Sequence, residues 1–457
     1  MSEQEIGALI TTLGVFMCAV HLMGYVFERL RQPRLVGEII AGILLGPAVL
    51  GNIWPEAYDF LFKNSVVGED KTKIILGYVY WLGVLFLMFL SGSQVRGLLS
   101  AQNRRETAWL VGVGTPIPFL LVMGLGLASL IPLDPLVGVK GVGISALLIL
   151  ATAVAVTSIP VISRIFSDLG ILHTRFASLI LGSAVLEDIA LWGVLAIATA
   201  LAGQTGLAET GLVGSTASHL LLTLGYTATA LIAMPTLLRH VRRTRWNLLL
   251  RASRTAYVVI VLFAYVGLAA ILGVNLVFAA FLAGFGIAGG ASGTERVHFA
   301  EALDAIKTFA QAALIPVYFA LVGYRLVFGR EFSMTMLVAF FVGSSLLALI
   351  SVGLAARLAG FRGLDVLNLA ITTNARGGPG IVLASVAYDG GIISPAFYTT
   401  LVLTAIFTSQ AAGLWLRYVL GKGWPLLSTD PEDGPLPPQK AGGVAAGPGG
   451  LGAASHL

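Results

Sequence analysis

Apolar runs of about 20 residues, the length a helix needs to cross a bilayer, succeed one another along the chain and are bounded by charge or by Gly/Pro clusters. Thirteen segments are predicted, the first seven at 6–27, 35–52, 74–95, 107–131, 141–167, 174–201 and 216–238. The other six fall at 255–272, 274–290, 308–328, 333–356, 364–388 and 395–416. Two interruptions stand out. The run Leu150–Val161 is broken by Thr157-Ser158 and then Pro160, and proline deletes a backbone donor and clashes with the preceding turn, so an unwound stretch is expected there. Further on, the adjacent acids Glu187 and Asp188 sit near the centre of 174–201, where each charge costs at least about 2.5 kcal/mol to insert and therefore points to function.

The opening pattern returns later in the chain. Leu369 to Ile381 repeats the Leu-Ala-x8-Pro spacing of Leu150 to Pro160, with Thr373, Asn374 and Arg376 as the polar interruption before Pro379. Segment five thus pairs with segment twelve. The predicted organisation is an inverted repeat, repeat one at 1–201 and repeat two at 255–420, joined by a linker helix at 216–238. Paired Gly/Pro-interrupted segments in the two halves are the best pointer a sequence offers to a transporter's binding site.

Composition agrees with a polytopic membrane protein, since the chain is 11% charged and 57% hydrophobic with a mean hydropathy of +0.89, against about 25% charged residues in soluble domains. With so few charges, the net +5 says less about nucleic acid, which is not expected as a partner, than about the sides of the membrane. Of the 28 Lys and Arg, 21 lie in one set of alternate loops and six in the other, leaving only Arg376 inside a span. The positive-inside rule then places the N-terminus outside and the C-terminus in the cytoplasm. Met1–Gly7 has no basic residue and does not read as a signal peptide. A single cysteine, Cys18, excludes an internal disulfide framework. The stretch 421–457, rich in Pro, Gly and Ala, reads as a disordered cytoplasmic tail. No dinucleotide-binding glycine pattern follows a strand, and His21, His173 and His219 have no metal spacing. Neither a catalytic residue nor a cofactor is expected.

From about Met1 to Leu420 the sequence resembles the monovalent cation:proton antiporters of the second cation-proton antiporter family. The similarity is carried by Gln32 to Pro47 (QPRLVGEIIAGILLGP), Thr157 to Val161, Asp168-Leu169-Gly170, Asp188, Pro316 to Gly323 and Asn374 to Gly377. It implies an all-α membrane protein of thirteen helices with two crossed broken helices, a homodimer, and elevator-type alternating access. One departure matters. Where electrogenic members of the family carry Asp-Asp and electroneutral ones usually Asn-Asp, this chain has Glu187-Asp188. The lysine that partners the first acid in some electrogenic members has no counterpart in the middle of segment ten, where Lys307 lies at one end.

Burial disfavours the charged form of a carboxyl group, so proton and cation are expected to compete for Asp188. Neighbouring residues on a helix point about 100° apart, so Glu187 and Asp188 cannot fill one ligand position. Thr157 and Ser158 are expected as oxygen ligands at the broken helix, with Thr373 and Asn374 as lesser equivalents in segment twelve. They can instead bond back to their own helix. Arg376 needs an anion, and Glu187 is the nearest on the geometry the resemblance implies; that pair would hold Glu187 ionised and make exchange electroneutral. Glu38 is expected to pair with Arg34.

The leading functional expectation is exchange of Na+ or K+ for H+ across a bacterial-type plasma membrane, with no metal beyond the transported ion. The alternatives are a K+ efflux system of the glutathione-gated type, against which the short tail argues, and an organic solute carrier on the same scaffold.

Overall fold

The computed structural model describes residues 2–30, 32–63, 67–98, 103–202, 216–244, 247–288, 294–329 and 332–428. Among these the secondary structure is helical apart from one isolated bridge between Val137 and Ile393. Among the described residues ten helices are long and apolar enough to span a bilayer, from Glu3–Arg29 to Pro395–Gly421. Two further apolar runs, Gly143–Ala155 and Leu276–Ile287, are shorter. The all-α, membrane-spanning class read from the hydrophobic pattern therefore holds, with ten such spans among the described residues where the pattern predicts thirteen segments.

Local chemistry explains where helix ends differ from the pattern. The second run leaves helical geometry after Leu45, at Gly46-Pro47, and resumes as Leu50–Ile53. A short helix, Pro55–Phe62, follows that hydropathy alone did not resolve. The linker run continues to Arg243, beyond its last apolar residues. Three helices carry a π turn, Leu110–Gly114, Thr229–Ala233 and Ala310–Leu314, each two residues ahead of a proline (Pro116, Pro235, Pro316). The wider turn accommodates a ring that a regular α-helical turn would meet with its carbonyl.

The long elements pack as two bundles. One contains 104–127, 143–168, Arg175–Leu201, Met334–Leu358, 364–389 and Pro395–Gly421, and is called here the site bundle. The other, the scaffold bundle, contains Glu3–Arg29, Arg34–Leu45, Glu69–Leu98, Arg254–Leu272, Leu276–Ala288 and 294–324. The helix at 216–243 packs against members of both. Inside the scaffold the same glycine-mediated crossing occurs twice. A Cβ at Gly42 would meet the Ala320 carbonyl and one at Gly323 the Ile39 carbonyl; a Cβ at Gly92 would meet the Phe281 carbonyl and one at Gly284 the Phe89 carbonyl. Segments two and ten cross through one such pair of contacts and segments three and nine through the other.

At the end away from the arginine-rich loops, the residues before the first broken helix and after the second are tied together: Gly138 N–H donates to Ile392 O, Lys140 N–H to Gly391 O and Ser394 N–H to Leu136 O, each at 2.9 Å. At the basic end the chain after Gly421 departs from the expected disorder. Leu426 and Leu427 are buried, Asn368 donates to Leu426 O at 3.0 Å, and Ser428 donates to the Asp365 carboxylate through N–H at 2.9 Å and Oγ at 2.7 Å. Two leucines find cover against the half-helix Leu364–Thr373, which orders 422–428. The remainder of the expected tail lies outside the described residues.

Candidate functional site

Both interrupted runs are broken where the sequence places the break. The first consists of Gly143–Ala155 and Ile159–Asp168, separated by Val156-Thr157-Ser158 in extended conformation. The second consists of Leu364–Thr373 and Gly377–Asp389, separated by Asn374-Ala375-Arg376. Pro160 and Pro379 fall in the first turn of their second halves, where no N–H is required.

The breaks cross and satisfy one another. Ser158 N–H donates to Ala375 O at 2.8 Å, and Thr157 Oγ1 donates to Thr373 O at 2.9 Å. Ser158 Oγ accepts from Val161 N–H at 3.4 Å, capping its own half-helix, and from Gly378 N–H at 3.1 Å, capping the opposite one. Gly377 sits at φ +28°, and a Cβ there would collide with Val161 and the Ser158 hydroxyl. Two helix N-termini and two C-termini thus meet at one place, so partial charges of both signs converge on it.

The helix Arg175–Leu201 runs past this crossing and carries the acids. Asp188 is fully buried, and among the described residues neither of its oxygens has a hydrogen-bond partner. Glu187 is buried on a different face, in a small cavity lined by Thr115, Thr157, Thr373 and Asn374. Its Oε2 has no partner either, and the hydroxyls of Thr157 and Thr115 flank the carboxyl. Because Thr157 has committed its proton to Thr373 O, its oxygen offers only lone pairs to the cavity. The arrangement supplies hard oxygen atoms without a cluster of three His, Cys, Asp or Glu among the described residues that would hold a resident metal.

Arg376 corrects one expectation. It is buried, but it donates to Ser344 Oγ at 2.6 Å and to Asn374 Oδ1 at 3.3 Å and lies 5.6 Å from the Phe340 ring centroid. Among the described residues no carboxylate pairs with it, Glu187 included. A guanidinium has five donors and a flat face, so hydroxyl, amide and ring take the place of the expected anion. Glu38 does meet Arg34, at 3.2 Å.

The crossing also uses residues the sequence did not single out. Thr408 Oγ1 accepts from Arg376 N–H at 3.4 Å and Ser409 Oγ from Gly377 N–H at 3.1 Å, both from the last helix. Thr115 reaches the cavity just beyond the π turn Leu110–Gly114.

Comparison with known proteins assigns the sequence to a family. Residues 16–422 fit the family described as "Sodium/hydrogen exchanger, transmembrane". The chain is 26% identical over 423 residues to the Na(+)/H(+)-K(+) antiporter GerN of Bacillus cereus, covering 90% of this chain and 95% of that protein. It is also 26% identical over 416 residues to the Na(+)/H(+) antiporter NhaS4 of a Synechocystis strain, covering 90% and 96%. Against some longer plant relatives it spans only 22% to 47% of their length. The solved sodium proton antiporter MjNhaP1 from Methanocaldococcus jannaschii superposes with a TM-score of 0.53 at 16% identity, over 91% of this chain and 97% of that one, a likeness of fold. Crossed broken helices beside a buried acid pair, in a chain that matches from residue 16 to residue 422, make this protein a member of the transmembrane sodium/hydrogen exchanger family, a family of cation/proton antiporters.

Proposed function

We propose that this protein exchanges a monovalent cation, Na+ or K+, for H+ by alternating access, with Asp188 taking cation and proton in turn. The observation that carries the reading is the state of Asp188, buried in the middle of the helix that runs past the crossing, with neither oxygen having a partner among the described residues. An ionised carboxylate left so would be costly, and a proton removes that cost. When the bundles part, water and a cation replace the proton, so the same group binds either but not both. Thr157 offers its neutral oxygen on the Glu187 side, the half-helix C-termini at the crossing contribute partial negative charge, and Ser158, already holding two N–H groups, acts more as the pin of the crossing.

Glu187 has hydroxyls rather than a basic group against it. We infer that it keeps its proton through the cycle, so that Asp188 alone alternates and one cation exchanges for one proton. Arg376 faces the C-terminal end of Leu364–Thr373 through Asn374 and offsets the negative partial charge there. The arginine-rich loops lie on the cytoplasmic side of a plasma membrane in this reading, with the N-terminus outside, and a second copy pairs through the scaffold bundle. The names of the relatives, which pair H+ with Na+ or K+, support the substrate class. The test is Asp188→Asn in proteoliposomes: it abolishes cation-driven internal pH change while the protein still inserts, and exchange at the parental rate would overturn the assignment.

A further inference from the structure

The end opposite the basic loops holds another acid, one that the proposed exchange does not use. Asp389 is the last residue of the half-helix Gly377–Asp389, whose first residue lies at the crossing. Its Oδ1 accepts from Arg325 Nη1 at 2.7 Å and its Oδ2 from Tyr80 Oη at 2.7 Å, while the Arg325 guanidinium lies 4.1 Å from the Tyr80 ring centroid. Asp389 belongs to the site bundle; Arg325 and Tyr80 belong to the scaffold. Three further bonds join the bundles at this end: Tyr398 Oη donates to Val322 O at 3.2 Å, Tyr318 Oη to Ser385 Oγ at 3.3 Å, and Val327 N–H to Thr399 Oγ1 at 3.2 Å.

The two ends of the inter-bundle seam differ. At the Asp389 end a cavity is lined by Trp81, Asn275, Val386 and Asp389, so Asp389 stands in its wall. At the basic end a cavity between Glu38, Leu87, Val161 and Phe319 enters the seam, and the bridging pair there, Arg164 and Glu28 at 2.6 Å, is about half exposed on both sides. The Arg325 and Asp389 side chains are 31% and 20% exposed, so water screens their charge-assisted bond less.

We propose that Asp389, Arg325 and Tyr80 form a latch that closes the seam at the end opposite the basic loops and that opens each time the site turns to that side. Asp389 is a positioning residue: it touches no transported ion and acts through the half-helix that runs from it to the crossing. The site bundle cannot move away from the scaffold at that end while both 2.7 Å bonds persist. The inference rests on the alternating-access reading given above.

The test uses the full chain in proteoliposomes, with Cys18→Ser and Val386→Cys as background and a membrane-impermeant maleimide added on the Asp389 side. Asp389→Asn is expected to raise the labelling rate roughly tenfold, the factor that 1.4 kcal/mol taken from the closed state produces, and Tyr80→Phe to raise it less. The half-saturating cation concentration in Asp389→Asn should fall on that face and rise on the basic face. Unchanged labelling, or half-saturating concentrations that shift equally on both faces, would overturn the latch. A second variant, Asp389→Cys with Arg325→Cys, should lose exchange when bridged by a short bifunctional thiol reagent and regain it on reduction; full exchange in the bridged protein also overturns it. Labelling does not depend on which ion moves, so faster labelling in a protein that exchanges no cation for protons would sustain the latch and sink the antiport reading.

Discussion

The Ser158 hydroxyl accepts a hydrogen bond from the Gly378 N–H at 3.1 Å across 220 residues of sequence, while also capping its own half-helix at Val161. One oxygen therefore serves two helix N-termini. Ser158→Ala removes a cap worth about 1 kcal/mol and leaves a buried N–H without its partner at a further cost of roughly 1 to 3 kcal/mol. The melting temperature of the purified protein in detergent should fall by several degrees, and an unmoved midpoint contradicts the shared cap.

Gly377 follows the second break and lies directly against the first. Its φ of +28° and the proximity of Val161 and Ser158 leave no room for a methyl group. Gly377→Ala should lower the yield of folded protein and destabilise it by about 1 to 3 kcal/mol through backbone strain and overpacking. Thermal unfolding checks this, and an alanine variant as stable as its parent would show that the crossing can open.

Glu187 and Arg376 are not partners here, because Arg376 is held by Ser344 and Asn374. The double variant Glu187→Gln with Arg376→Gln should therefore lose exchange no less than Arg376→Gln alone, with any coupling limited to what their shared neighbour Asn374 transmits, whereas an ion pair would make the second loss cost nothing. Glu187→Gln, which imitates a carboxylic acid that never loses its proton, should retain exchange, and ion jumps on supported membranes should give no sustained current. Loss of exchange in Glu187→Gln together with steady currents would return Glu187 to the proton path.

Much of the fold was legible because the signals are costly ones. Pro160 and Pro379 cannot sit inside a regular helix, and Glu187-Asp188 cannot sit in an apolar run without reason, so the breaks and the acids were readable before any contact was known. The partners of the breaks were not. Thr115, Ser344, Thr408 and Ser409 are small hydroxyl residues in apolar helices, where back-bonding to their own helix is ordinary, and only the three-dimensional crossing shows which of them face it. Thr115 did carry a faint mark, as it precedes Pro116 at the end of a π turn. The pairing of Arg376 with Glu187 went wrong for a general reason: charge alone does not say whether an arginine is satisfied by an anion or by neutral acceptors and an aromatic face. The short helix Pro55–Phe62 and the docked residues 422–428 escaped because they are too short for a hydropathy window.

Proton and cation occupying Asp188 by turns must compete, and competition can be measured. In proteoliposomes the half-saturating cation concentration of exchange is measured across the pH range in which the protein is active. It should rise toward acid pH, approaching about tenfold per pH unit where the proton-bound form dominates, with the maximal rate reached again at saturating cation. A half-saturating concentration that stays constant while pH changes would contradict a shared carboxylate and with it the role given to Asp188.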